Sequence, residues 1–387
     1  MQNWELTHRA WVEVDLNALE HNVRALRGLL KPSTELLAVV KADAYGHGAV
    51  TVSQSALAAG ATWLGVATLP EGLELRAAGI PAPILLLGAT NTPEEVQAVA
   101  QAQLQPTICT PKQALTYAET LATPLAVHLK IDTGMSRLGT SWQSALEFVQ
   151  LVQRLPNLKI ASIYSHLATA DDPNPALMQL QQQRFEQVVA QVRSAGLTEQ
   201  RLHLANSAAT LADPDLHYDL VRTGLALYGL YSAPHLSLHV DLRPVLQVRA
   251  RITQVKTIAP GTGVSYGHLF VASQETRVAT VAIGYADGVP RLLSNRLQAI
   301  VRGVRVPQIG AITMDQCMID VTAVPDAQEG EVVTFLGEDG AEQISAEDWA
   351  EALGTISWEI LCGFKHRLPR VTVRRAPQFE QSAPSSR

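Results

Sequence analysis

Short apolar runs alternate with longer segments whose apolar residues recur at helical spacing over the first two thirds of the chain. After an opening "WVEVDL" and the helix-like "NALEHNVRALRGLL", the runs are "LLAVVK", "WLGVAT", "PILLLG", "LQPTIC", "AVHLKID", "ASIYSH", "RLHLANS" and "DLVRTG". Segments such as "PEEVQAVAQAQ", "SALEFVQLVQRL" and "LMQLQQQRFEQVVAQVRSAG" separate them and carry an amphipathic stripe. Strand-length runs alternating with helices predict a parallel α/β architecture, and eight of them favour a closed, TIM-type β/α barrel. The texture changes after residue 231, where proline and histidine punctuate a linker near residues 232–244. "VLQVRARITQVKTI" then shows strand-like alternation, and the remainder reads as short strands and turns with one helix, near "SAEDWAEALG". The pattern predicts a barrel over residues 12–240 and a mainly β domain over 241–376 that also takes in residues 1–11. The final stretch, 377–387, has few large apolar residues to bury and is predicted to be a disordered tail.

Composition narrows the function classes. The 387 residues suit two or three domains, and 47% hydrophobic with 17% charged residues is the balance of a folded, enzyme-sized chain. A net charge of -6 without a dense Lys/Arg face argues against nucleic acid as a partner. Cys109, Cys317 and Cys362 are odd in number, far apart and without metal-ligand spacing, which points to a reducing compartment and to no metal site. "MQNWELTHRAWVEVD" lacks the basic and apolar regions of a secretory leader, and no run is long enough to span a membrane, so a cytoplasmic protein is expected.

In such barrels the chemistry sits at the C-terminal ends of the strands. Lys41, Lys130, His166, Asn206, Ser207 and Arg222 fall at or near those ends, on strands one, five, six, seven and eight. Any one of them alone is most simply a solvated polar group; their convergence on one rim is what points to a site. A rim lysine partly desolvated by the apolar strand before it can lose its proton near neutral pH and attack a carbonyl, chemistry that suits pyridoxal phosphate. "ANSAAT" and "TGL" (223–225) offer hydroxyls, a glycine and backbone amides for a phosphate, though Ser/Gly turns are common and each is weak alone.

The ordered segments "AVVKADAYGHG", "LKIDTGMSRLG", "IYSHLATAD", "HLANSAA", "VRTGLALYG", "GVSYGH", "AIGYADG", "TMDQCMID" and a late "PRV" together resemble the alanine racemase family across nearly the whole chain. The resemblance implies a pyridoxal-phosphate barrel followed by a β domain, a head-to-tail homodimer with shared active sites, and interconversion of L- and D-alanine, the D form being needed for peptidoglycan. It implies that Lys41 anchors the cofactor and acts as base on one face of the substrate, and that Tyr266 is the base on the other. Racemisation removes the α-proton from one face and returns one to the other, so two opposed groups suit it. A tyrosine needs its anion stabilised for this work; the resemblance assigns that help to His166, linked to Arg222, which meets the cofactor's ring nitrogen. Arg137 and Met314 are implied for the substrate carboxylate; Lys130 matches a lysine that is carbamylated in many members of the family and in that form would orient Arg137, an unmodified Lys130 being the alternative. Tyr45, Asn206, Ser207, Gly224, Leu225 and Trp358 are implied around the cofactor, with Trp358 replacing the family's usual tyrosine. Asp171 and Tyr285 match the substrate entrance and Asp315 shapes the site, while Ala311 and Thr313 depart from an arginine and a cysteine common there. A racemase of serine or another small amino acid is the nearest alternative. A non-catalytic cofactor-carrying barrel would lack the β domain, and "TMDQCMID" is not the acidic motif of a related decarboxylase.

Overall fold

A computed structural model describes residues 8–238 and 240–375; the expectations for residues 1–7 and for the tail 377–387 lie outside the described residues. The eight apolar runs form eight parallel strands, Glu35–Val39, Trp63–Val66, Ile84–Leu86, Gln105–Ile108, Leu125–Asp132, Leu158–Tyr164, Arg201–His203 and Leu220–Thr223. They succeed one another around a ring, and the eighth lies beside the first in parallel register from Leu220↔Glu35 to Thr223↔Ala38. The seam between the seventh and eighth is bridged by two backbone bonds rather than a ladder: Asp219 N–H donates to the Leu202 carbonyl and Arg222 N–H to that of Ala205, both at 3.0 Å.

These strands read as unbroken apolar runs because both faces are buried. On the first strand Leu37 and Val39 pack inward with Trp63, Leu85 and Leu220, whereas Leu36, Ala38 and Val40 join the larger core under the helices. The helices begin where the sequence supplies caps. Before Pro93, for example, the Thr92 hydroxyl accepts from Glu95 N–H, and the Glu95 carboxylate accepts from Thr92 N–H at 3.1 Å.

Two expectations need correction. Residues 12–15, placed in the barrel on pattern alone, belong to the strand Ala10–Asp15, which pairs antiparallel with Leu246–Ile258 and parallel with Arg370–Val373. The barrel offers this buried strand no edge, since Glu35–Val39 is already flanked by Trp63–Val66 and Leu220–Thr223. Asp15 ends the strand by capping the first barrel helix, Leu16–Gly28, accepting from Asn17 N–H at 2.9 Å. The second domain also holds a further helix, Ser357–Gly363, besides Ala346–Leu353. Seven residues make under two turns, too few for a helical period to stand out.

In that domain the strands Leu246–Ile258, Thr276–Val281, Cys317–Asp320, Val304–Ile309, Gln298–Val301 and Val332–Asp339 pair in sequence, and the last returns to the first, closing a second, antiparallel ring. A small ribbon, Gly263–Val264 with Phe270–Val271, projects between two of them. Among the described residues no helix is long and apolar enough to cross a membrane.

The chain's start is tied to this domain by charge. Asp287 is fully buried and takes two bonds from Arg9, at 2.6 and 3.0 Å, and one from Gly284 N–H at 3.0 Å, with Arg367 at 3.4 Å. Truncating one member of a buried pair leaves the other charge uncompensated. Arg9→Ala, which takes the nearest cation from the buried Asp287 carboxylate, is therefore expected to lower stability by roughly 2 kcal/mol, read from urea unfolding of the purified protein, while Arg305→Ala, at an exposed pair with Glu342, costs under about 1 kcal/mol.

Candidate active site

One cavity of about 620 Å³ opens at the C-terminal ends of the barrel strands. Of the residues singled out from the sequence, Lys41, Tyr45, Lys130, Arg137, His166, Asp171, Asn206, Ser207, Arg222, Gly224, Leu225 and Trp358 all line it. Tyr266, Tyr285, Met314 and Asp315 do not. They stand together on the β domain: Tyr285 N–H donates to the Thr313 carbonyl and Ala286 N–H to that of Met314, while the Ser265 hydroxyl donates to the Ala311 carbonyl. Tyr266 is 74% exposed, Met314 52% and Tyr285 42%, so within one chain this cluster is open to solvent.

Lys41 lies two residues past the end of the first barrel strand and starts an unusual turn. Ala42, Asp43, Ala44 and Tyr45 all have φ between 53 and 55°, a left-handed helical turn of four non-glycine residues. Each residue costs roughly 1–2 kcal/mol in that conformation, so its neighbours must hold it. Glu71 accepts from Ala42 N–H at 2.7 Å, Asp43 accepts from Ala49 N–H at 2.8 Å, and Ala44 N–H donates to the Val40 carbonyl at 2.9 Å. From the β domain Arg370 donates to the Gly46 carbonyl at 2.9 Å and also to the carbonyls of Phe364, Lys365 and Leu368. Gly46, at φ 84°, has no room for a side chain: a Cβ would lie 2.5 Å from the Leu361 carbonyl oxygen.

Burial chiefly, and Arg137 next, push the Lys41 amine below the ordinary lysine value, partly opposed by Glu71 and Cys362. Lys130 is pulled down to about 8 by burial, Arg222 and Arg137. Both amines are thus more often neutral, and more nucleophilic, than a solvated lysine at the same pH.

Arg222 is buried among neutral acceptors. It donates to His203 Nδ1 at 2.8 Å, to the carbonyls of Ser165 and Leu204 at 2.8 and 3.0 Å, and to His166 Nδ1 at 3.3 Å. Burial draws its pKa down to about 10. A guanidinium only donates, so His166 Nδ1 must accept. Burial and the cations Arg222, Lys130, Arg137 and Lys41 hold His166 well below the usual histidine range; it is neutral and carries its proton on Nε2.

At another wall of the cavity the Ser207 hydroxyl accepts from Gly224 N–H at 2.9 Å, and a Cβ on Gly224 would come 2.6 Å from the Tyr45 phenolic oxygen. These contacts make a tight cradle of hydroxyl and backbone groups. Asn206 caps the short helix after it, accepting from Ala209 N–H at 3.0 Å. The lining sets Lys41, Lys130, Arg137 and Arg222 against one carboxylate, Asp171, an excess of positive charge that favours an anionic occupant. A phosphate in the cradle, a heteroaromatic ring against Arg222 and an aldehyde near Lys41 fit this donor set, which pyridoxal phosphate combines in one molecule.

Sequence reasoning missed several participants. Glu71 was visible only as the last member of a Thr68–Glu71 capping box, Arg370 only within "PRV", and His203 only within "HLANSAA". Cys362, on the helix that carries Trp358, also lines the cavity and left no signal.

Comparison with known proteins is independent of this geometry. Residues 14–232 match the family description "Alanine racemase, N-terminal domain" and residues 245–372 match "Alanine racemase, C-terminal domain". An alanine racemase of Nostoc sp. is 68% identical over 95% of this chain and 96% of its own length, and one of Synechocystis sp. is 62% identical over 95% and 100%. Among solved structures, alanine racemase from Bacillus anthracis with bound L-Ala-P superposes with a TM-score of 0.90 at 35% identity, covering 95% of each chain. That from Streptomyces lavendulae superposes at 0.88 with 38% identity, covering 95% of this chain and 98% of its own.

The clamp on the left-handed turn gives a measurable consequence. Arg370→Met keeps the apolar stem and removes every donor, so the amides of Ala42–Gly46 are expected to exchange with deuterium at least about tenfold faster while those of the barrel strands stay unchanged. Unaltered exchange in that turn would show that the barrel alone holds it.

Proposed function

The chain belongs to the alanine racemase family and interconverts L- and D-alanine, and we propose that it does so with pyridoxal phosphate in the barrel cavity, Lys41 working on one face of the substrate and the partner subunit's Tyr266 on the other. The observation that carries this reading is the division of the machinery: Lys41, His166, Arg137 and Arg222 share one cavity, while Tyr266 is held out from the β domain, exposed and away from it. Bound pyridoxal phosphate supplies an aldehyde for covalent attachment and an electron-accepting ring that acidifies the α-proton.

The residues then divide the work. The partly desolvated Lys41 amine would hold the cofactor covalently and would serve as the base for the α-proton on its own face. Arg222 would donate to the ring nitrogen without giving up its proton, and so would keep the ring a weaker electron sink than a protonated one. A weaker sink would disfavour transamination as a side reaction. The Nε2–H of neutral His166 would donate a hydrogen bond to the phenolic oxygen of the partner subunit's Tyr266, orienting it as the second base. Arg137 and the amide of the partner subunit's Met314 would hold the substrate carboxylate; Tyr45, Ser207 and the backbone at Gly224 and Leu225 would hold the phosphate, with Asn206 capping the helix beside it and Trp358 offering an indole N–H where a hydroxyl would otherwise donate. Asp171 of one copy and Tyr285 of the other flank the entrance, and Asp315, gripped by Arg367 at 2.8 Å, fixes the Met314 loop.

Lys130 fits a carbamate. Its amine, lowered to about 8 and set beside Arg137 and Arg222, is available for carbon dioxide, and the resulting anion converts a repulsion into an ion pair that orients Arg137. Crystals grown in bicarbonate are expected to show density beyond Lys130 Nζ, with a matching carbonyl resonance from ¹³C-bicarbonate; mass spectrometry loses so labile a group. A bare amine in both experiments refutes the carbamate.

The shared site is tested by mixing. Lys41→Ala and Tyr266→Phe are each expected to lose racemisation by at least about a hundredfold, read as D-alanine on a chiral column and deuterium uptake at the α-carbon. Refolded together with pyridoxal phosphate, about half the dimers are mixed, and one site in each mixed dimer carries neither lesion, so about a quarter of the sites recover. Mixed dimers confirmed by native mass spectrometry but without recovery would place both bases in one chain.

A further inference from the structure

A line of buried side chains continues from Arg222 through the barrel interior. His203 Nδ1 accepts from Arg222 at 2.8 Å; His203 Nε2 lies 2.7 Å from the Ser162 hydroxyl; Ser162 lies 2.6 Å from His128 Nδ1; His128 Nε2 lies 2.9 Å from Gln105 Oε1. The line crosses from the eighth strand to the N-terminal end of the fourth, through the seventh, sixth and fifth. Ser162, His128 and His203 are buried, and Tyr164 stacks on His203 with ring centroids 4.5 Å apart and planes 5° from parallel.

The chemistry of the two ends orders every bond between them. Arginine only donates, so His203 Nδ1 carries a lone pair and its proton sits on Nε2, donated to Ser162. At the far end the Gln105 carbonyl oxygen only accepts, so His128 donates from Nε2 and its Nδ1 accepts the Ser162 hydroxyl proton. Both imidazoles must then be neutral. Burial drives His128 down to about 3, and burial with the Arg222 charge drives His203 well below its usual range, consistent with that assignment.

We propose that Ser162, His128 and Gln105 are positioning residues that act on Arg222 through His203, locking His203 in the Nε2–H tautomer whose Nδ1 accepts from the guanidinium and so holding Arg222 against the cavity. Without the Ser162 oxygen the Nε2–H loses its acceptor, and a shift of the proton to Nδ1 would set donor against donor at Arg222. The consequence for the cofactor rests on the proposed contact between Arg222 and its ring nitrogen; the tautomer itself does not.

The test is ¹⁵N NMR of histidine-labelled protein before and after pyridoxal phosphate is added, with His203 and His128 identified by the signals lost in His203→Gln and His128→Gln. Both are expected as neutral Nε2–H tautomers with and without cofactor. Ser162→Ala should populate the Nδ1–H form of His203 and weaken pyridoxal phosphate binding about tenfold, and Ser162→Thr, which restores the hydroxyl, should recover both. A merely space-filling role for Ser162 would leave the tautomer untouched. An Nδ1–H His203 in the unmutated protein, or a Ser162→Ala variant with the original tautomer or the original affinity, overturns the proposal. If the unmutated protein takes up no pyridoxal phosphate the functional reading fails, while the tautomers, read without cofactor, still decide the relay.

Discussion

A buried guanidinium without a carboxylate beside it sets the terms for the whole cavity. Arg222 gives its hydrogen bonds to two backbone carbonyls and two imidazoles, all neutral, so its charge is solvated but not cancelled. Burial first, and this charge next, hold His166 and His203 neutral and lower Lys130. With Lys41 and Arg137 nearby, the cavity is a place where a multiply anionic molecule gains electrostatic energy that the protein's own neutral acceptors do not supply. The same charge explains why the interior of the barrel below it is polar, with two histidines, a serine and a glutamine where most barrels place aliphatic layers.

The second dependence is mechanical. Lys41 lies between a strand that fixes its backbone and a left-handed turn that no local sequence preference would choose. Four residues at φ near 53° are tolerable because Glu71 on a barrel helix and Arg370 on the last strand of the β domain both hold the turn. The β domain therefore braces the lysine of its own barrel while presenting Tyr266 outward. Strain concentrated at a reactive residue and borne by the surroundings is how a fold keeps one side chain in a single direction.

Much of this was legible in the chain alone. Two-sided burial makes parallel strands read as continuous apolar runs, so all eight barrel strands stood out, and the ends of those runs located Lys41, Lys130, His166, Asn206, Ser207 and Arg222 on one rim. Ordered motifs spanning the chain indicated the family, which the comparisons bear out. The other features needed the folded chain, because they join groups whose partners are distant in sequence. The strand Ala10–Asp15 left the barrel because both edges of the first barrel strand were taken, a fact of pairing and not of pattern. The helix Ser357–Gly363 was too short to show a period. His203, Ser162, His128 and Gln105 each look like an ordinary polar residue within an apolar strand, and only the closing of the ring sets them end to end beneath Arg222. The left-handed turn was hidden for the same reason: alanine and tyrosine disfavour it and a lone aspartate tolerates it only as a single residue, and the energy that holds it comes from Glu71 and from Arg370, which lies more than three hundred residues away along the chain and within hydrogen-bonding distance in space.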